Sequence, residues 1–91
     1  MRLAARTDSI QTDVVGALKA AGCSVQSLAM VGQGVPDLLV WTQHRGLLLF
    51  ECKRKGGKRT PAQLIWHAEW KGPVYMIYSV DDALLCAGCI G

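Results

Sequence analysis

The 91 residues suffice for one compact domain and exclude two, so any active site sits on a single small core. With 51% hydrophobic and 19% charged residues the composition is globular, not disordered; no run approaches the roughly 18 apolar residues of a membrane span, and Met1 to Asp8 lacks the apolar stretch of a secretory leader. The formal charge of +3 is too small to announce a nucleic-acid partner, and the expectation is an intracellular, cytoplasmic protein without membrane association.

From about Asp8 to Ala21, Ile10, Val14, Ala17, Leu18 and Ala21 recur at steps of three and four, which predicts a helix capped by Thr7 or Asp8 and terminated by Gly22. Val25 to Val31 is a partly alternating apolar stretch closed by Gly32-Gln33-Gly34, a first strand entering a turn. Asp37 to Thr42 and Leu47 to Lys53 are apolar runs joined by Gln43-His44-Arg45-Gly46, the pattern of a β-hairpin. Strands so continuously apolar call for cover on both faces, and therefore for helices on either side.

Thr60-Pro61-Ala62-Gln63 predicts a helix start, with Thr at the cap, Pro at the first helical position and Gln where a capping box requires it. That helix runs to about Trp70 and is broken by Lys71-Gly72-Pro73. Val74 to Tyr78 is a fourth strand, and Ser79 to Cys86 a short helix capped by Ser79. The order is αβββαβ(α), an α/β fold with a mixed four-stranded sheet flanked by helices.

Side chains alternate along a strand, so Glu51 and Lys53 share a face and Cys52 points away. Folding the hairpin about His44-Arg45 sets Asp37 opposite a residue between Glu51 and Lys53. Two carboxylates and an ammonium within apolar strands are costly to bury unless they pair or bind a metal. Asp37, Glu51 and the backbone carbonyl of Cys52 form a hard-oxygen set suited to Mg²⁺, with Mn²⁺ able to substitute. Such an ion activates water and stabilises charge on a phosphate, with Lys53 assisting, which is the chemistry of phosphodiester hydrolysis. Arg54, Lys55, Lys58 and Arg59 make a basic loop beside this cluster that suits phosphate without sequence preference. It is not a P-loop, because Arg59 stands where Ser or Thr follows Gly-Lys.

Gly34-Val35-Pro36-Asp37, a spacer, and Glu51-Cys52-Lys53 resemble the pattern of the PD-(D/E)XK nucleases, whose restriction-endonuclease-like core has the same αβββαβ order. Thr60-Pro61-Ala62-Gln63 after the Glu-x-Lys strand, and Gly72-Pro73-Val74 before the next, look like a stand-alone VRR-NUC domain of the compact type encoded by phages. The resemblance covers nearly the whole chain. It implies that Asp37 and Glu51 are metal ligands, Lys53 the catalytic lysine and Gln63 an accessory active-site residue. Asp8 is the nearest match to an acidic ligand on the first helix. It further implies a DNA endonuclease selective for branched substrates such as four-way (Holliday) junctions, with DNA as partner and no small-molecule cofactor.

Several residues carry plainer readings. Gln63 is explained by a capping box as readily as by a site role, and Asp8 by a helix cap. Trp41, Trp66 and Trp70 read as packing or interface, His44 and His67 as surface or partly packed residues. Trp66, Trp70 and the Cys86 to Ile90 tail point to a homodimer. Cys23, Cys52, Cys86 and Cys89 read as reduced structural thiols. The alternatives are a non-catalytic nucleic-acid-binding module of the same fold, and a zinc-stabilised interaction domain built on Cys86-Ala87-Gly88-Cys89, for which Cys23, His44 or His67 would have to complete the ligands.

Overall fold

A computed structural model of the chain describes the backbone from Leu3 to Gly91 and the side chains from Ile10 onward. Its elements are α1 (Leu3–Ala20), β1 (Ser24–Ser27), β2 (Leu38–Thr42), β3 (Gly46–Cys52), α2 (Pro61–Glu69), β4 (Tyr75–Ile77) and α3 (Val80–Cys86). The strands form one mixed sheet in the order β1-β2-β3-β4, antiparallel except for β3 and β4, which run parallel because α2 crosses between them.

The expected order is therefore observed, with differences at the ends. Helix α1 begins at Leu3, so Thr7 and Asp8 lie within it rather than at its cap. The apolar period does extend to Val14 and Leu18, both fully buried, but Ala21 lies past the last helical residue and is exposed. The first strand stops at Ser27, and residues 28–31 join the loop that leads to Pro36. In the hairpin, Thr42 pairs with Gly46, and the Thr42 hydroxyl both accepts from Arg45 N–H at 2.8 Å and donates to Gly46 O at 3.0 Å. Gly46, at φ 69°, closes the turn in a conformation unfavourable to other residues.

One face of the sheet carries the core. Leu38, Val40, Leu48 and Phe50 alternate onto it and meet Val14 and Leu18 of α1, Ile77 of β4, and Ala83 and Ala87 at the end of α3. Both helices covering this face end in the same way. After Gly22 and Gly88, each with positive φ, Cys23 N–H donates to Leu18 O and Cys89 N–H to Leu84 O, both at 2.9 Å. The two cysteines meet with their sulfurs 3.7 Å apart, and burial together with Cys89 pushes the Cys23 thiol up to about 11. Cys86 and Cys89 pack against the core and Ala87 lies within it, while Ile90 at the end of this tail is exposed.

The other face carries a helix as expected, but α2 covers only part of it. Trp41 is 46% exposed and Leu47 68%, while Leu39 and Leu49 are half-buried. Helix α2 lies on this side but has only nine residues, none of them buried, and its first turn is committed to the end of the sheet that carries Glu51. Trp66 and Trp70 stack on each other along α2, with ring centroids 4.8 Å apart.

The loop before β2 touches α2 directly. A Cβ added to Gly34, at φ 84°, would overlap the Ala62 carbonyl, whereas one added to Gly32, at φ 67°, would meet no atom within 4 Å. The left-handed conformation costs a non-glycine residue about 1–2 kcal/mol at either position; only Gly34 adds a backbone collision. Thermal unfolding of Gly32→Ala and Gly34→Ala should therefore show a modest loss for the first and a clearly larger one for the second; equal losses would mean that the loop does not rest on α2.

Candidate active site

Three segments converge where β2 begins and β3 ends. The β2–β3 register pairs Leu38 with Phe50, and its continuation by one residue sets Asp37 opposite Glu51. Asp37 holds the position through both its backbone and its side chain. Its carbonyl accepts from Leu28 N–H, prolonging the β1–β2 ladder, and its Oδ2 accepts from Cys52 N–H, both at 2.8 Å. In an antiparallel strand a residue's N–H and C=O leave by the same edge, so the Cys52 carbonyl is directed toward the Asp37 side.

Glu51 is 1% exposed. Its Oε2 accepts from Gln63 Nε2 at 2.6 Å and lies 3.4 Å from Lys53 Nζ, the only ion pair among the described residues. Its other oxygen, Oε1, is buried and has no hydrogen-bond partner there. A buried carboxylate oxygen without a partner costs free energy, on the order of 1–3 kcal/mol or more for a charged group, and points to a cation as its missing neighbour. Burial is the main cause that raises the Glu51 carboxyl above its ordinary range; the charge of Asp37 adds to it, while Lys53 and Gln63 oppose it. Asp37 is also raised by burial, against the Cys52 N–H and the charge of Lys53.

Gln63 unites this cluster with α2. Its backbone N–H donates to Thr60 Oγ1 at 3.2 Å, and its Oε1 accepts from Thr60 N–H at 2.8 Å, completing the capping box. The same Oε1 accepts from Lys53 Nζ at 2.8 Å while Nε2 donates to Glu51. Gln63 therefore caps α2 and reaches Lys53 and Glu51 at once, because an amide has an acceptor and two donors to divide. A cleft of about 260 Å³ opens beside the cluster, lined by Gly34, Pro36, Asp37, Thr60 and Gln63 among others.

The residues that can hold a divalent cation are thus Asp37, Glu51 through Oε1, and the Cys52 carbonyl, an all-oxygen set that fits a hard ion. Among the described residues, no group of three His, Cys, Asp or Glu side chains is arranged to hold a metal, which leaves Cys86 and Cys89 without the further ligands a zinc site needs. The side chain of Asp8 lies outside the described residues. Arg54, Lys55, Lys58 and Arg59 are exposed on the loop after β3, which turns through a Gly57 N–H to Arg54 O bond of 2.7 Å. None of them forms an ion pair among the described residues.

Two features lay beyond the sequence reading. The parallel register brings Met76 of β4 beside Glu51, making β4 a wall of the site. His67, one turn after Gln63, has its Nε2 buried without a partner among the described residues, and burial with the charges of Arg59 and Lys53 lowers its pKa. The only advance signal for His67 was its spacing of four from Gln63.

No protein-family model matches the chain. Over 64 residues, 69% of this chain and 69% of the relative, it is 39% identical to the protein named "Putative nuclease p44" of Acyrthosiphon pisum secondary endosymbiont phage 1. Among solved structures it is similar to a chain described as "VRR_NUC domain", with a TM-score of 0.71 and 25% sequence identity, over 88% of this chain and 94% of that one.

The raised carboxyls carry a sign that can be measured. Because the folded state holds these protons more tightly than the unfolded chain, with ordinary values of 3.8 and 4.5, their contribution to stability is full below those values. It is lost as pH rises through the raised folded values. In EDTA, Glu51→Gln should therefore melt higher than the wild type at pH 7, with the gap closing toward pH 4. A variant that melts lower at pH 7 would show that the carboxylate stabilises the fold without a cation.

Proposed function

The chain belongs to the VRR-NUC family of nucleases, with a fold of the restriction-endonuclease type, and from this membership and the site we propose that it is a Mg²⁺-dependent DNA endonuclease that cuts branched DNA as a homodimer. The observation that supports the metal dependence is the buried Oε1 of Glu51 beside Asp37, which has no hydrogen-bond partner among the described residues. Asp37, Glu51 and the Cys52 carbonyl would hold the ion, and Mn²⁺ would serve in its place. When bound, such an ion lowers the pKa of a coordinated water and neutralises charge on the phosphate.

The chain's own groups supply the remainder. Lys53 is fixed by Gln63 Oε1 beside Glu51, where its ammonium can orient the attacking water or stabilise the negative charge that grows on the phosphate oxygens. Gln63 acts as a positioning residue for both. The cleft at Asp37 opens to solvent next to this ammonium, and the four cations of the following loop would neutralise neighbouring phosphates on either side of the cut.

The homodimer rests on the open sheet face. Trp41, Leu47 and Trp70 expose apolar surface there that a second copy would cover. A two-fold pair presents two cutting sites, which suits a four-way junction. The preference for such junctions comes from the family resemblance.

Purified protein incubated with linear, flapped and four-way DNA should cut in Mg²⁺ or Mn²⁺ and not in EDTA, with the branched substrates cut fastest. Asp37→Ala, Glu51→Ala and Lys53→Ala should each lower cleavage by roughly a hundredfold or more, and Gln63→Ala by less, with far-UV circular dichroism unchanged. Undiminished cutting by any one of the first three removes that residue from the mechanism. Undiminished cutting in EDTA removes the metal.

Replacing any one of Arg54, Lys55, Lys58 and Arg59 by Ala should weaken DNA binding similarly across sequences and reduce the salt slope by about 1. An unchanged slope would place that cation outside the DNA contact.

A further inference from the structure

On the β4 side of the cluster lies a second recess of about 360 Å³, lined by Gly57, Lys58, Arg59, Leu64, Met76 and Tyr78. Its position follows from the sheet. Met76 is the register partner of Glu51, and Lys53 N–H donates to Ile77 O at 2.9 Å, so Tyr78, two residues beyond Met76, stands on the same side beside Lys53.

Its walls combine three chemistries. Leu64 and Met76 are apolar, the Tyr78 side chain is aromatic in a residue 40% exposed, and Lys58 and Arg59 are cations with no ion-pair partner among the described residues. A purely apolar ligand leaves the two cations unanswered, and a simple anion leaves the ring and the thioether unused. A planar base carrying a phosphate satisfies all of them.

We propose that this recess is a nucleobase-stacking subsite that receives one unpaired nucleotide next to the scissile phosphate, its base on Tyr78 against Met76 and its phosphate on Lys58 and Arg59. The inference rests on the nuclease reading for its placement and adds to it a physical source of selectivity. A base held in a duplex is already stacked and paired, and extracting it costs a few kcal/mol. A flap base is already unpaired and a base at a branch point has lost part of its stacking, so branched DNA fills the recess more readily than continuous duplex.

The test is binding in EDTA, where no cutting occurs. Two probes are used: a flapped duplex carrying 2-aminopurine at the unpaired position next to the branch, and the matching fully paired duplex. Wild-type protein should quench the 2-aminopurine of the flapped probe by stacking. Tyr78→Ala should remove the quench and weaken the flapped probe about 5- to 100-fold more than the paired one, whereas Tyr78→Phe, which keeps the ring, should behave as wild type.

Fluorescence that does not change when wild-type protein binds the flapped probe overturns the subsite whether or not Tyr78→Ala folds. So does Tyr78→Ala binding both probes with the wild-type ratio. Stacking in a protein that cuts nothing in Mg²⁺ would overturn the nuclease reading and leave the subsite, and cutting without stacking would do the reverse.

Discussion

The carboxamide of Gln63 makes three hydrogen bonds at once: its oxygen accepts from the Thr60 backbone and the Lys53 ammonium, and its nitrogen donates to Glu51. The first of these caps the start of α2, and the other two hold the charged pair of β3. One side chain therefore fixes the start of α2 relative to the end of the sheet, and the basic loop between Lys53 and Thr60 is anchored at both ends by the same amide. The close approach of Gly34 to Ala62 brings the loop that precedes Asp37 against the same helical turn. The three segments of the site thus meet at a single point of α2.

That point is costly for the fold. Two carboxylates are drawn together and partly or wholly removed from water, and only one lysine answers them within the cluster. A core of this size has little stability to spare. The arrangement makes physical sense if a cation completes it, because metal bound only by the folded state returns stability by mass action. The same burial that raises the carboxyls in the absence of metal strengthens their attraction for an ion, since charges interact more strongly where water is excluded.

The two faces of the sheet divide the labour. The face against α1 and α3 is closed, down to the paired cysteines at the helix ends. The opposite face carries charge at one end, where α2 begins, and exposed apolar side chains along the rest. A short crossover helix is enough to connect β3 to β4 in parallel, but its first turn is held at the site, so the aromatic and leucine side chains nearer the hairpin stay uncovered.

Short-range physics in the sequence determined the element order, the shared face of Glu51 and Lys53, the hairpin that brings Asp37 to them and the capping box of Thr60 and Gln63. Periodicity, turn chemistry and caps act over a few residues and are legible without a partner. Only the tertiary structure decided that the Gln63 amide serves cap and site together, that Asp37 faces Glu51, and that β4 contributes Met76 and Tyr78 to the surroundings of the site. It also decided how little of the second face α2 covers and that the Cys86 to Cys89 tail packs onto the core. Each of these depends on where segments tens of residues apart come to rest, which is set by the burial of the whole core and by the competition of several acceptors for one amide, quantities no local pattern encodes.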